Sequence, residues 1–217
     1  MQQHNALFTQ DPTGYLGNVV VDNATWFRTL QAPLQLAPLN LNKAGLFDLV
    51  PAAINPRRVL FQPTALGQVV EDVGIDAYWC PFLAGGGLPG WVDLPERNPA
   101  RRFMFTASMQ GCALVVTRSP VAGHIRVYHH QHPGAGNNGI WDQIHAVGQA
   151  VVSVLTFDDY CGDENIASNA FNFMYYRNSQ WHYVTQAHIL VPVGMTFVPT
   201  RRPAYGNNGV AINSVLG

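Results

Sequence analysis

Apolar residues fall along this chain in short runs, β-branched or aromatic, which Gly, Pro and Asn break before a long helix can form. Phe103-Met104-Phe105-Thr106, then Cys112-Ala113-Leu114-Val115-Val116-Thr117, then His124-Ile125-Arg126-Val127-Tyr128 read as a three-strand meander, with Arg118-Ser119-Pro120 as its second turn. Residues 75–82 read as a strand before it, and residues 151–157, 171–177, 181–191 and 195–200 as strands after it. Helices are few. A short capped one follows Asp22, with Trp26, Phe27 and Leu30 at helical spacing, and another follows Thr64, where Leu66, Val69, Val70 and Val73 share a face. The longest opens at Asn137 or Asn138 and aligns Ile140, Ile144, Val147 and Val151, although Gly148 interrupts it. Pro12, Pro33, Pro38, Pro51, Pro56 and Pro63 make residues 1–63 read as an irregular segment wrapped around a β-rich core of residues 64–217, the whole being one domain. The expected fold is α+β, a β-sandwich of mixed or antiparallel sheets with a few peripheral helices and long loops.

Composition narrows the partners. Only 12% of the 217 residues are charged, and the formal net charge is −1. Such a chain has no electrostatic basis for gripping a phosphate backbone, and its apolar runs fall far short of the ~20 residues that span a bilayer as a helix. No nucleic acid, no membrane and a monomeric state are therefore expected. Cys80, Cys112 and Cys161 are odd in number and widely spaced, which suggests neither a disulfide framework nor a zinc knuckle. No metal or other cofactor is expected. Lys43 is the sole lysine; the other cations are Arg.

Chemistry concentrates around Cys112. It follows Gly111 at one strand start, and His124 follows Gly123 at the next. If residues 118–120 turn a hairpin, thiol and imidazole are expected side by side, the ring holding the thiol as thiolate and the backbone N–H after Gly111 serving an oxyanion. The plainer alternative is a small buried hydrophobe in an apolar run, with an incidental histidine. His129-His130-Gln131-His132 invites a metal reading, but adjacent strand residues point to opposite faces, and a loop flanking the active-site mouth is expected instead. Asp158-Asp159 and Asp163-Glu164 read as solvated loop, Gly85-Gly86-Gly87 as a flexible lip, and Trp141, Trp181, Tyr175 and Tyr176 as core or sheet-face aromatics.

The pattern Thr106, Gly111-Cys112 and His124, with Trp79-Cys80-Pro81-Phe82 upstream, resembles the superfamily of cysteine-dependent glutamine deamidases that includes the cytotoxic necrotizing factors and Burkholderia lethal factor. The resemblance covers about residues 75–128. The Leu-Ser-Gly-Cys of those toxins is Met109-Gln110-Gly111-Cys112 here, so the role of that serine is lost or passes to Gln110 or Ser108. The resemblance implies a protein-glutamine deamidase: Cys112 as nucleophile, His124 as acid–base, Thr106 in support, Gly111 and Cys112 as oxyanion backbone, and a main-chain carbonyl near Trp79 to orient the histidine. It also implies a host protein as substrate, either a Rho-type GTPase or a translation-initiation helicase. Because Met1 to Asn5 lack a secretory pattern, the expectation is synthesis in a bacterial cytoplasm without a signal peptide and action in the host cytosol. Two readings stand beside this one: a bacterial chemoreceptor deamidase, and a non-enzymatic β-rich binding module of adhesin or lectin type. The lysine scarcity fits either GC-rich codon usage or avoidance of ubiquitin attachment.

Overall fold

The computed structural model of the chain describes residues 3–29, 32–53, 55, 57–64, 73–83, 89–131, 138–146, 149–160, 168–193, 196–202, 206–207 and 209–216. In chain order come α1 (His4–Gln10), α2 (Pro12–Asn18), β1 (Val20–Asp22), a 3-10 turn (Trp26–Arg28), α3 (Ala32–Asn42), β2 (Ala44–Pro51) and β3 (Arg58–Pro63). Then follow β4 (Ile75–Cys80), β5 (Gly90–Pro95), β6 (Phe103–Thr106), β7 (Ala113–Arg118), β8 (His124–His130), α4 (Asn138–Ala146), β9 (Val151–Leu155) and α5 (Phe157–Tyr160). The chain finishes with β10 (Ser168–Arg177), β11 (Gln180–Val193), β12 (Thr196–Arg201) and β13 (Val210–Ser214).

The strands build two sheets, and the α+β sandwich with peripheral helices is as the sequence indicates. Nine strands form a mixed sheet in the order β1-β3-β2-β4-β6-β10-β11-β12, with β13 also beside β11; the pairs β1/β3 and β4/β6 are parallel. Four form an antiparallel sheet in the order β5-β8-β7-β9. Period-2 alternation assigns each face of the large sheet to a different core. Phe103 and Phe105 of β6, Phe171, Phe173 and Tyr175 of β10, Phe47 of β2 and Phe61 of β3 point to one side, where they pack with Phe8, Tyr15, Trp26 and Trp79. Met104 of β6 and Ala170 and Met174 of β10 point the other way, into the layer shared with Leu114, Val116, Ile125 and Val127 of the small sheet. The outer face of the small sheet packs Ala113, Val115 and Tyr128 under Ile144 and Trp141 of α4.

The large sheet curls until β1 lies beside β12, closing around the aromatic core. Gln186 of β11, fully buried, spans the gap. Its Nε2 donates to Leu16 O at 2.7 Å and Val19 O at 2.6 Å, and its Oε1 accepts from Val21 N at 2.9 Å and His188 Nε2 at 2.8 Å. Next to it, buried Asp22 accepts from Ala24 N, Thr25 N, Thr25 Oγ1 and the Arg58 guanidinium. Burial alone would raise the Asp22 pKa; the hydrogen bonds from Thr25 and Arg58 outweigh it and hold the carboxyl below its ordinary value. Asn5 fastens α1 to β2, donating to Asp48 Oδ1 at 2.7 Å and accepting from Leu49 N at 2.9 Å.

Two expectations are corrected. Residues 1–63 are not an irregular wrapping: they supply β1, β2, β3 and three helices, and their prolines Pro51 and Pro63 end strands instead of preventing them. Nor do residues 103–128 form a meander. β6 pairs with β4 and β10 in the large sheet, while β7 and β8 form a hairpin in the small one. The chain crosses between sheets at Ala107–Cys112, where Gly111 takes φ +82°. The helix expected after Thr64 falls largely on residues 65–72, outside those described, as do Gly85-Gly86-Gly87, Cys161 and Asp163-Glu164.

Removing the Gln186 carboxamide would strand two buried backbone groups and a half-buried one, so Gln186→Leu is expected to destabilise the fold by roughly 3–5 kcal/mol, at about 1–3 kcal/mol per orphaned group. Urea unfolding monitored by tryptophan fluorescence measures it; a loss under about 1 kcal/mol would mean that water replaces the side chain.

Candidate functional site

The β7–β8 register decides the fate of the expected dyad. Arg118 pairs with Ile125 and Ala113 with His130, so His124 sits at the turn and Cys112 at the open end. Six strand residues separate them, roughly 20 Å at about 3.3 Å each. His124 is half-exposed, its Nδ1 2.9 Å from Ala122 O, and its backbone pairs with Pro95 of β5. The structure therefore does not bring Cys112 and His124 together. Equal strand lengths bring the first residue of one strand back to the last residue of the other, and that count points from Cys112 to the far end of β8.

There stands His129, expected in a loop flanking the active-site mouth and found instead within β8. Its ring is fully buried on the face shared with Leu114, its cross-strand partner; Cys112, two residues before Leu114, lies diagonal to it. Such diagonal positions lie about 7–8 Å apart, within reach of long side chains. Across the sandwich, His129 Nδ1 is 2.6 Å from Thr106 Oγ1, and Thr106 Oγ1 donates to Cys80 O at 2.9 Å. Because the hydroxyl proton is committed to Cys80 O, Nδ1 must donate to Thr106, which leaves Nε2 a bare lone pair. Nε2 has no hydrogen-bond partner among the described residues. Phe82 meets the ring edge-on at 5.1 Å. Burial, with a smaller contribution from His130, pushes the His129 pKa down to about 3, so the imidazole is neutral at neutral pH.

Thr106, expected one strand over from Cys112, instead belongs to the opposite sheet and forms the polar tie between the two. Cys112 is 4% exposed, packs in the inter-sheet layer, and accepts at its carbonyl from Tyr160 Oη at 2.7 Å. Gln110 is exposed and Gly111 half-buried. Trp79 is a core residue: its ring packs on Phe47 and its Nε1 donates to Asn40 Oδ1 at 2.9 Å. The main-chain carbonyl beneath the histidine is that of Cys80, one residue later, reached through Thr106. The Cys80 thiol, buried against Val127 O and Gly90 O, has its pKa pushed up by burial. His130 faces the other side of the small sheet, against Trp141 at 5.1 Å. Lys43 lays its ammonium 2.7 Å from the centre of the Trp91 ring.

Fold and site together define a two-sheet α+β domain whose candidate chemistry is a buried thiol, imidazole and hydroxyl between the sheets. The chain belongs to the Mcf1 activator-binding domain family, whose model matches residues 65–205. It is also similar to the C-terminal domain of CNFy from Yersinia pseudotuberculosis, at 9% identity and a TM-score of 0.34 over 88% of this chain and 98% of that one. So loose a superposition carries no functional argument. No curated protein matches the sequence.

His129 and His188 have folded-state pKa values lowered by burial from 6.5 to about 3 and about 4, so below pH 6.5 the unfolded chain binds protons that the folded chain refuses. Stability should be full above pH 6.5 and fall as the pH drops toward 4, by about 1.4 kcal/mol per pH unit for each of the two. Urea midpoints between pH 7 and pH 4 measure this, and His188→Gln should flatten the profile; an unchanged midpoint would mean that both rings reach solvent.

Proposed function

We propose that this chain is a protein-recognition module of a bacterial toxin or effector that binds an activator protein of the host, acting in the host cytosol. The family match over residues 65–205 carries the reading, since the name of that family states activator binding. The site's physics supports it. Cys112 is 4% exposed, and burial holds the His129 ring neutral and weakens it as a base. Both side chains are buried among the described residues.

The Thr106–His129 tie favours a second reading, a protein-glutamine deamidase in which His129 takes the place expected for His124. His129 Nε2 would take the Cys112 proton, Cys112 Sγ would attack the carboxamide carbon, and the imidazolium would protonate the departing ammonia. Water activated by His129 would then cleave the thioester to glutamate and restore the thiol. This chemistry needs the inter-sheet layer opened to solvent, which would restore the basicity of the ring.

The chain, immobilised through a terminal tag, is to be challenged with eukaryotic cell extract, and the captured protein purified and titrated by calorimetry. A saturable one-to-one complex is expected, with Cys112→Ala binding within about threefold of wild type, under 1 kcal/mol, and no Gln-to-Glu conversion in the partner by mass spectrometry. Conversion by wild type that Cys112→Ala and His129→Gln abolish would move the assignment to the deamidase. No saturable complex would remove the binding reading.

A further inference from the structure

The loop from β5 to β6 carries Arg97, Arg101 and Arg102, and the β10–β11 turn brings Arg177 beside it. The two segments are fastened together: Tyr176 N donates to Arg102 O at 2.8 Å, and Asn98 N donates to Tyr176 Oη at 3.1 Å. Among the described residues their acidic neighbours are Asp76 and Glu96, and Glu96 is engaged from the other side by Arg118. The loop borders a cleft of about 440 Å³, lined among others by Thr9, Gln10, Val73, Asp76, Arg101 and Arg102.

Two of the guanidinium groups are held in place. Arg101 lies over the Tyr78 ring at 5.5 Å and Arg102 over the Tyr175 ring at 5.1 Å, and Arg102 Nη2 also donates to Tyr175 Oη at 2.5 Å. The Arg101 ion pair with Asp76, at 2.6 Å, uses only Nε, leaving the Nη nitrogens without a partner among the described residues. A guanidinium already stacked on a ring loses little side-chain entropy when a carboxylate docks, and its fork donates two parallel hydrogen bonds to that carboxylate. Val73, 85% exposed, offers an apolar contact at the rim. Val73, Asp76 and all four arginines lie within the family-matched residues 65–205.

We infer that this cleft is where the activator docks, and that it takes an acidic segment, in which Asp or Glu side chains meet Arg101 and Arg102 while an apolar neighbour covers Val73. The inference rests on the activator-binding reading and assigns its surface and the chemistry of its partner.

The probe is a fluorescently labelled peptide of Asp, Glu and Leu, set against its Asn, Gln and Leu counterpart and read by anisotropy. Wild type should bind the acidic peptide, more weakly as salt rises, and not the uncharged one. Arg101→Glu with Arg102→Glu should weaken binding about tenfold or more, and Arg101→Gln with Arg102→Gln by less. Arg57→Glu, an exposed charge reversal on the β2–β3 turn, should change nothing. Circular dichroism of each variant separates lost binding from lost fold, and the Gln pair keeps the test alive if the Glu pair misfolds. Absence of binding, equal binding of the two peptides, or an equal loss in Arg57→Glu overturns the inference. An activator complex that forms unchanged in the Arg101/Arg102 variants overturns this surface and leaves activator binding standing.

Discussion

The nine-stranded sheet cannot finish itself by strand pairing. It bends around its aromatic side until β1 returns to β11 and β12, and among the described residues no backbone ladder joins them there. The Gln186 carboxamide closes that seam with two donated and two accepted hydrogen bonds, three of them to backbone groups that the closure would otherwise bury unmet. The curvature it holds sets the volume into which seven phenylalanines and their neighbouring rings pack. The Asp22–Arg58–Thr25 network pins the strand beside it.

From that curvature follows the two-faced character of β6 and β10. Every residue of β6 is buried, because one side faces the rings and the other faces the small sheet. Thr106 is the point where this arrangement becomes polar: a hydroxyl on the far face of the large sheet meets a histidine of the small one, and both are satisfied only if the sheets keep their spacing. The Thr106–His129 tie is thus a consequence of how the sheets stack, and the same stacking buries Cys112 and His129.

The local elements were largely legible. Alternation in residues 171–177 and 181–191, the turn between β7 and β8 and the face of α4 all declare themselves within a few residues, since side-chain period is a local property. The strands of residues 1–63 were missed because proline reads as a break, whereas here Pro51 and Pro63 stand at strand ends. β5 and β13, short and rich in turn residues, carried too weak an alternation.

What the amino-acid sequence determined by itself was the fold class, the strand-forming segments, the low charge density and the identity of Cys112 and Thr106 as residues worth watching. Which segments pair was settled by packing between elements far apart in the chain. β6 leaves its sequence neighbours for β4 and β10, and the hairpin register sends His124 away from Cys112 and sets His129 at the Cys112 end of the hairpin. Gln186, an ordinary polar residue in Thr185-Gln186-Ala187-His188, became the seam of the sheet in the same way. The reason is physical: hydrophobic period reports the face on which a residue lies, but the partner across that face is fixed by long-range packing and by the need to satisfy buried polar groups, and neither is written into spacing along the chain.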